Sequence, residues 1–209
     1  MDLDIELTTP PVEADVLVLV TVASLKVNER MTHTQHDADL LPDCIKQAYA
    51  MLDGQYGWLN RSILTQTWTL YLDNFCDIVE LPKGPVQSVT SIKYYDADGA
   101  LQTLAADQYE VQTGKFVPTV TKAYGVTWPT LDTRKRAVEI KYVAGFGDPG
   151  TIPFPIKAKL QKAIIFLASH YYRNPSATYA EPRVVVVNRR VEMGLDHLVG
   201  FLRIPPDYG

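Results

Sequence analysis

The sequence predicts an α+β protein: a small helical bundle with an inserted antiparallel β-rich module and extended termini. Three observations carry this. Apolar residues recur at helical spacing before residue 57 and again after residue 153, and between them the period drops to two. Glycine, proline and aspartate clusters punctuate that middle stretch at the short intervals expected of hairpin turns. The hydrophobic content of 46% and charged content of 21% are those of an ordinary globular chain.

Residues 1–20 read as an N-terminal arm, with two prolines and five acidic residues among the first fifteen. Thr21 is placed to cap a short helix over Val22–Val27, because its hydroxyl can accept from a free N–H of the first turn. A long helix is expected from Asp37 or Asp39 to about Tyr56. Leu41, Ile45, Ala48, Leu52 and Tyr56 share one face, and Pro42 lies in the first turn, where a missing N–H costs little.

The β-rich insertion spans residues 63–150. Trp68, Leu70 and Leu72 alternate with threonines and Tyr71, and Val138, Ile140 and Tyr142 alternate with Glu139 and Lys141. Pro82–Pro85 is a turn, a strand follows over Val89–Tyr95, and Asp96–Gly99 suits a hairpin tip. Five to seven antiparallel strands are expected. A second long helix starts near Pro155 and stops before Asn174-Pro175, with a main stripe of Ile156, Leu160, Ala163, Ile164, Leu167 and Tyr171. Ile165 and Tyr172 project well away from that stripe, so this helix is expected to be covered on two sides. The bundle is thus read as residues 21–62 and 151–203, with a valine-rich strand or loop near 180–191, Val184–Val187 at its centre. A short helix over Leu195–Leu202 and an extended tail over 204–209 complete the chain.

The chemistry-bearing residues do not gather. Gly145-Phe-Gly147-Asp-Pro-Gly150 has the letters of a phosphate loop, but Thr151-Ile-Pro-Phe-Pro155 separates it from the helix whose N-terminus would hold a phosphate. His33, His36, Asp37 and Asp39 form the only dense group of metal-capable side chains, and no third or fourth ligand follows from His170 or His197. Asp96-Ala-Asp98-Gly99 departs from a calcium loop at its sixth and twelfth positions, Leu101 and Asp107. Cys44 and Cys76 stand alone, without a CxxC pair. No catalytic residue, metal or cofactor is assigned, and the chain is read as no enzyme.

A net charge of −4 speaks against general nucleic-acid binding. The arm lacks the basic start of an export signal, and the apolar run Val16–Val22 is too short to cross a bilayer, so no membrane role is expected. Arg134-Lys-Arg136 and Arg189-Arg190 are too short for a nucleic-acid footprint; they read as solvated turn ends or as salt-bridge partners for a neighbouring subunit. Trp128 sits in a loop, where it either packs under its own turn or anchors an interface.

Taken in order, several stretches resemble a known family. They are Ile63-Leu-Thr-Gln-Thr-Trp68, Leu81-Pro-Lys-Gly-Pro-Val-Gln-Ser-Val-Thr-Ser-Ile92, Tyr94-Tyr-Asp-Ala-Asp-Gly99, Ala123-Tyr-Gly-Val-Thr-Trp-Pro129, Tyr142-Val-Ala-Gly-Phe-Gly147, Ile152-Pro-Phe-Pro-Ile-Lys-Ala158 and His170-Tyr-Tyr-Arg-Asn174. The series resembles the head–tail connector (adaptor) proteins of long-tailed bacteriophages, prophages and gene-transfer agents. That resemblance implies a ring, usually of twelve copies, assembled in the host bacterial cytoplasm and located in the virion neck. It implies binding to the portal protein, extension of the DNA channel without specific DNA binding, and a platform for a stopper or tail-completion protein. By position, Leu198, Phe201, Leu202, Ile204, Pro205, Pro206 and Tyr208 are the candidates for portal contact. Ile165, Tyr172, Trp128, Arg134 and Arg136 are the candidates for contact between subunits. The alternatives are another neck component, such as a stopper or tail-terminator protein, or a small hydrolase.

Overall fold

The computed structural model describes residues 4–174 and 182–205, with the backbone alone over residues 182–190. The described residues form five α-helices and two antiparallel sheets, the α+β class that the sequence predicts. They separate into a β unit (residues 4–11 and 62–147) and a helical unit (residues 12–61, 148–174 and 182–205).

In the β unit, β1 (Ile5–Thr9), β2 (Gln66–Leu72), β4 (Val86–Tyr95), β5 (Leu101–Thr103) and β8 (Val138–Ala144) make a five-stranded sheet in the order β1-β2-β8-β4-β5. A second sheet has the order β3 (Ile78–Glu80), β7 (Thr119–Lys122), β6 (Tyr109–Gln112). The register explains the period of two. Trp68, Leu70 and Leu72 lie opposite Tyr142, Ile140 and Val138, so both strands turn the same set of large side chains to one face. Those residues join Val79, Leu81, Val86, Ile92 and Val120 in one core that takes side chains from both sheets.

Within this core the polar ends of two aromatics are satisfied, as buried polar atoms must be. The Trp68 indole N–H donates to Ser62 Oγ at 2.9 Å, and the Tyr142 hydroxyl donates to the Pro82 carbonyl at 2.7 Å. At the Asp96–Gly99 tip, Asp96 Oδ1 accepts from the Asp98 and Ala100 amides, and Gly99 takes a φ of +79°.

In the helical unit, α1 (Glu13–Leu19) and α4 (Phe154–Arg173) pack against α3 (Leu40–Leu52), and α2 (Val22–Glu29) and α5 (Pro182–Val199) pack against α4. Thr21 caps α2 by accepting from the Ser24 amide, and Asp39 caps α3 by accepting from the Leu40 amide. Leu41, Ile45, Ala48 and Leu52 are buried along α3. Leu160, Ala163, Ile164 and Leu167 are buried along α4.

Four expectations need correction. Residues 1–20 are not one extended arm: residues 5–9 pair with β2, and residues 13–19 are helical. The acidic content hid an Ile5/Leu7 alternation and a Val16/Leu19 helical step. The helix α3 stops at Leu52, and Tyr56 is 94% exposed in the following loop. The Asp53 N–H closes the last turn, and Gly54 at φ +78° turns the chain away before Tyr56 can join the face. Val184–Val187 is not a strand or loop but part of α5. The helix that was expected over Leu195–Leu202 therefore begins at Pro182 and gives way to a 3-10 turn over Gly200–Leu202. β-branched residues cost a helix only a few tenths of a kcal/mol each, and Val184, Val187, Val191, Leu195 and Leu198 recur at steps of three and four.

Candidate assembly surfaces

The described candidates at the end of the chain divide by depth. Leu202 and Ile204 are buried. The Ile204 amide donates to the Leu59 carbonyl at 3.0 Å, so this segment is fixed to the α3–β2 connection. Arg203 beside them lays its guanidinium 4.7 Å from the centre of the Trp58 ring. Leu198 is half-buried, Pro205 is exposed, and Phe201 is 53% exposed with Lys159 Nζ 4.1 Å from its ring centre. Pro206 and Tyr208 lie outside the described residues.

On α4, Ile165 and Tyr172 are both half-buried, unlike the fully buried stripe one turn away. Tyr172 meets His36 edge-on at 6.4 Å, and His36 meets His33 at 5.9 Å, while Lys26 pairs with Asp37 at 2.7 Å. The His33–Asp39 stretch is thus spent on a ring contact, an ion pair and a helix cap. Among the described residues no three His, Cys, Asp or Glu side chains are grouped to hold a metal ion. Nor is any described helix long and apolar enough to cross a membrane.

Trp128 stacks on Phe75 at 4.5 Å and donates its indole N–H to the Cys76 carbonyl at 3.0 Å. Its loop position is thus explained by packing within the β unit, where it is half-buried. Arg134 pairs with Asp132 and lies 4.0 Å from the Tyr95 ring centre. Arg136 grips both carboxylate oxygens of Asp4 and lies 4.6 Å from the Tyr71 ring centre. That bidentate fork raises the Arg136 guanidinium further above its ordinary value.

A polar cleft between α2, α4 and α5, which the sequence did not reveal, has a volume of about 370 Å³. Lys162 Nζ donates to Asn28 Oδ1 at 2.9 Å, Asn28 Nδ2 to Ser169 Oγ at 3.0 Å, and Arg173 Nε to Glu29 Oε2 at 2.7 Å. Burial pushes the Glu29 carboxyl up, but the bonds from Arg173, Ser169 and Asn28 outweigh it and hold the group below its ordinary value. Burial alone lowers His170 on the same wall. Elsewhere burial pulls the Arg61 guanidinium down to about 10 and lowers the Lys83 ammonium. The cleft's side chains hold one another. Its polar partners are spaced across distant parts of the chain, so no local motif signals it.

The fold is shared end to end with solved structures. A chain of the neck of an empty gene transfer agent (GTA) particle, determined with C6 symmetry, is 23% identical at a TM-score of 0.68, over 96% of this chain and 95% of that one. A chain of the neck of a native GTA particle, determined with C12 symmetry, is 24% identical at 0.67, over 98% and 96%. A chain of the virion of a native GTA particle is 23% identical at 0.62, over 90% and 94%. No protein-family model and no curated protein matches the chain. At these identities the likeness establishes the fold.

Proposed function

We propose that this chain is a head–tail connector adaptor: a structural protein that forms a ring in the virion neck, binds the portal, extends the DNA channel and carries the stopper or tail-completion protein. One observation carries the reading: the likeness to GTA neck chains runs through both units and covers nearly the whole of each chain. The order of turn and strand-end motifs that resembles adaptor proteins supports it independently, since order along a chain is not fixed by fold class.

In this reading the portal meets Phe201, Pro205 and the open side of Leu198, with Pro206 and Tyr208 beyond them. Leu202 and Ile204 hold that platform from beneath. A cyclic ring uses two different flanks of every subunit. Ile165 and Tyr172 on α4, with the rims of Trp128, Arg134 and Arg136 on the β unit, are the flanks proposed here. A ring of twelve encloses the channel, and a subunit of net charge −4 has no excess of cations to displace the counterions condensed on DNA phosphates, so DNA slides through unbound. The subunits assemble in the host bacterial cytoplasm, without membrane or cofactor, and the work done is shape and contact, not catalysis.

The test is deletion of the gene, followed by electron microscopy of the particles. Filled heads that fail to join tails are expected, with rescue by the plasmid-borne gene. Tailed particles at normal yield from the deletion would overturn the assignment.

A further inference from the structure

We propose that residues 4–9 form an exchangeable strap, and that in the ring the outer edge of β2 receives the β1 strand of a neighbouring copy. This rests on the ring proposed above. Four features of the strand and its seat point there.

First, β1 is an edge strand that touches only β2 in its sheet, so its removal leaves the β2-β8-β4-β5 ladders unbroken. Second, the seat is specific for this sequence. Ile5 enters the core, Arg136 takes both oxygens of Asp4, and Thr8 Oγ1 meets Thr69 Oγ1 at 2.6 Å. A second copy of the chain carries the same acidic, isoleucine-bearing segment with the same spacing, so the seat fits it equally well. Third, the joint is stiff. Pro10 and Pro11 follow the strand directly, give no ladder N–H and hold the chain extended before α1 opens at Glu13. Fourth, the strand belongs to the β unit while the residues after the joint belong to the helical unit, so the two prolines mark one of the points where the chain passes between units.

The contacts made in cis and in trans are identical, so their energies cancel. The choice falls to the joint and to the local concentration of empty seats. In a closed ring every copy has a neighbour that presents an identical seat, and each strap that crosses ties two copies together without any new contact. Leu7, opposite Trp68 in the register, is 39% exposed on this strand and gives the seat an apolar rim that a neighbour can cover.

The experiment pairs Thr8→Cys with Thr69→Cys, whose side-chain oxygens already meet, in a Cys76→Ser background. Assembled rings are treated with oxidised glutathione and run on a denaturing gel without reductant. A ladder of covalently joined copies is expected, collapsing to one band on reduction. Co-assembly of a Thr8→Cys chain with a Thr69→Cys chain is expected to give joined pairs. Should the Thr8/Thr69 variant fail to assemble, Glu6→Cys with Thr69→Cys repeats the measurement at directly opposed positions of the ladder. Rings whose bonds are all internal to one chain, shown by peptide mass, would overturn the strap and leave the ring standing. A parent chain that never forms a closed oligomer would overturn both.

Discussion

Removing a single buried hydroxyl tests the account of the β unit most sharply. Tyr142 is fully buried at the centre of the β2-β8-β4 ladder, and its hydroxyl donates to the Pro82 carbonyl at 2.7 Å. In Tyr142→Phe the ring still fills its place, but the carbonyl is left buried without that donor. The cost of such an orphaned acceptor is about 1–3 kcal/mol. With a urea slope of about 2 kcal/mol per molar, the midpoint is expected to fall by roughly 1 M. Trp68, buried in the same core and bonded to Ser62, gives the fluorescence signal. The pH dependence supplies a second, independent check. Burial raises the Tyr142 phenol well above its ordinary value. Below the ordinary tyrosine pKa of about 10 both states keep the proton and the full stability is present. Above it the unfolded chain loses the proton while the folded chain holds it, so stability drains away as pH rises toward the folded value. Tyr142→Phe has no such proton to lose. The gap between parent and variant is therefore expected to narrow from pH 9 upward, with the remaining tyrosines cancelling in the comparison. A variant as stable as the parent at pH 7, or a gap that stays constant to pH 11, would refute the reasoning.

Three further outcomes are expected. Phe201→Ala should change stability by no more than about 0.5 kcal/mol yet lose capture by the portal on co-expression, whereas Ile204→Ala should cost about 2–4 kcal/mol by urea denaturation; normal portal capture by Phe201→Ala would remove that residue from the contact. Because Glu29 is held below its ordinary value, its contribution is present above the usual carboxylate range and lost as pH falls through the lowered value. Glu29→Gln should flatten the acid limb of the stability profile, and an unchanged limb would deny the network its role. Gly145 sits at φ +128°, where a Cβ would strike the Leu64 carbonyl, so Gly145→Ala should lower the thermal midpoint or the soluble yield, and an unshifted midpoint would contradict that close approach.

Much of the fold is legible because burial imposes a period. Trp68, Leu70, Val138, Ile140 and Tyr142 announce their strands, and Leu41, Ile45, Leu160 and Leu167 their helices, since one face of each element is dry and the other wet. The failures occur where propensity and context disagree. Four consecutive valines favour a strand locally, yet Val184–Val187 lies in α5, in a chain whose following residues repeat at helical spacing. The arm failed for the opposite reason. Asp4, Glu6 and two prolines read as solvated, but an edge strand needs only one apolar anchor, Ile5, when Arg136 arrives from 132 residues away to neutralise the acid.

The candidate surfaces were less legible than the fold, and the reason is physical. A residue that meets a partner and a residue that meets its own core obey the same rule of apolar burial, so position alone cannot separate Phe201 from Ile204. Only depth separates them. Ile204 is 2% exposed and bonded through its amide to Leu59, whereas Phe201 keeps half its ring open under a lysine. The same holds for the basic run: Arg134 and Arg136 look like free cations in the sequence but are committed to Asp132 and Asp4. An interface built on Arg136 must therefore carry its own carboxylate, and the segment of known fit is the Asp4-bearing strand of another copy. For the proposed ring, then, trading an existing strand is more economical than stripping partners from arginines that already have them.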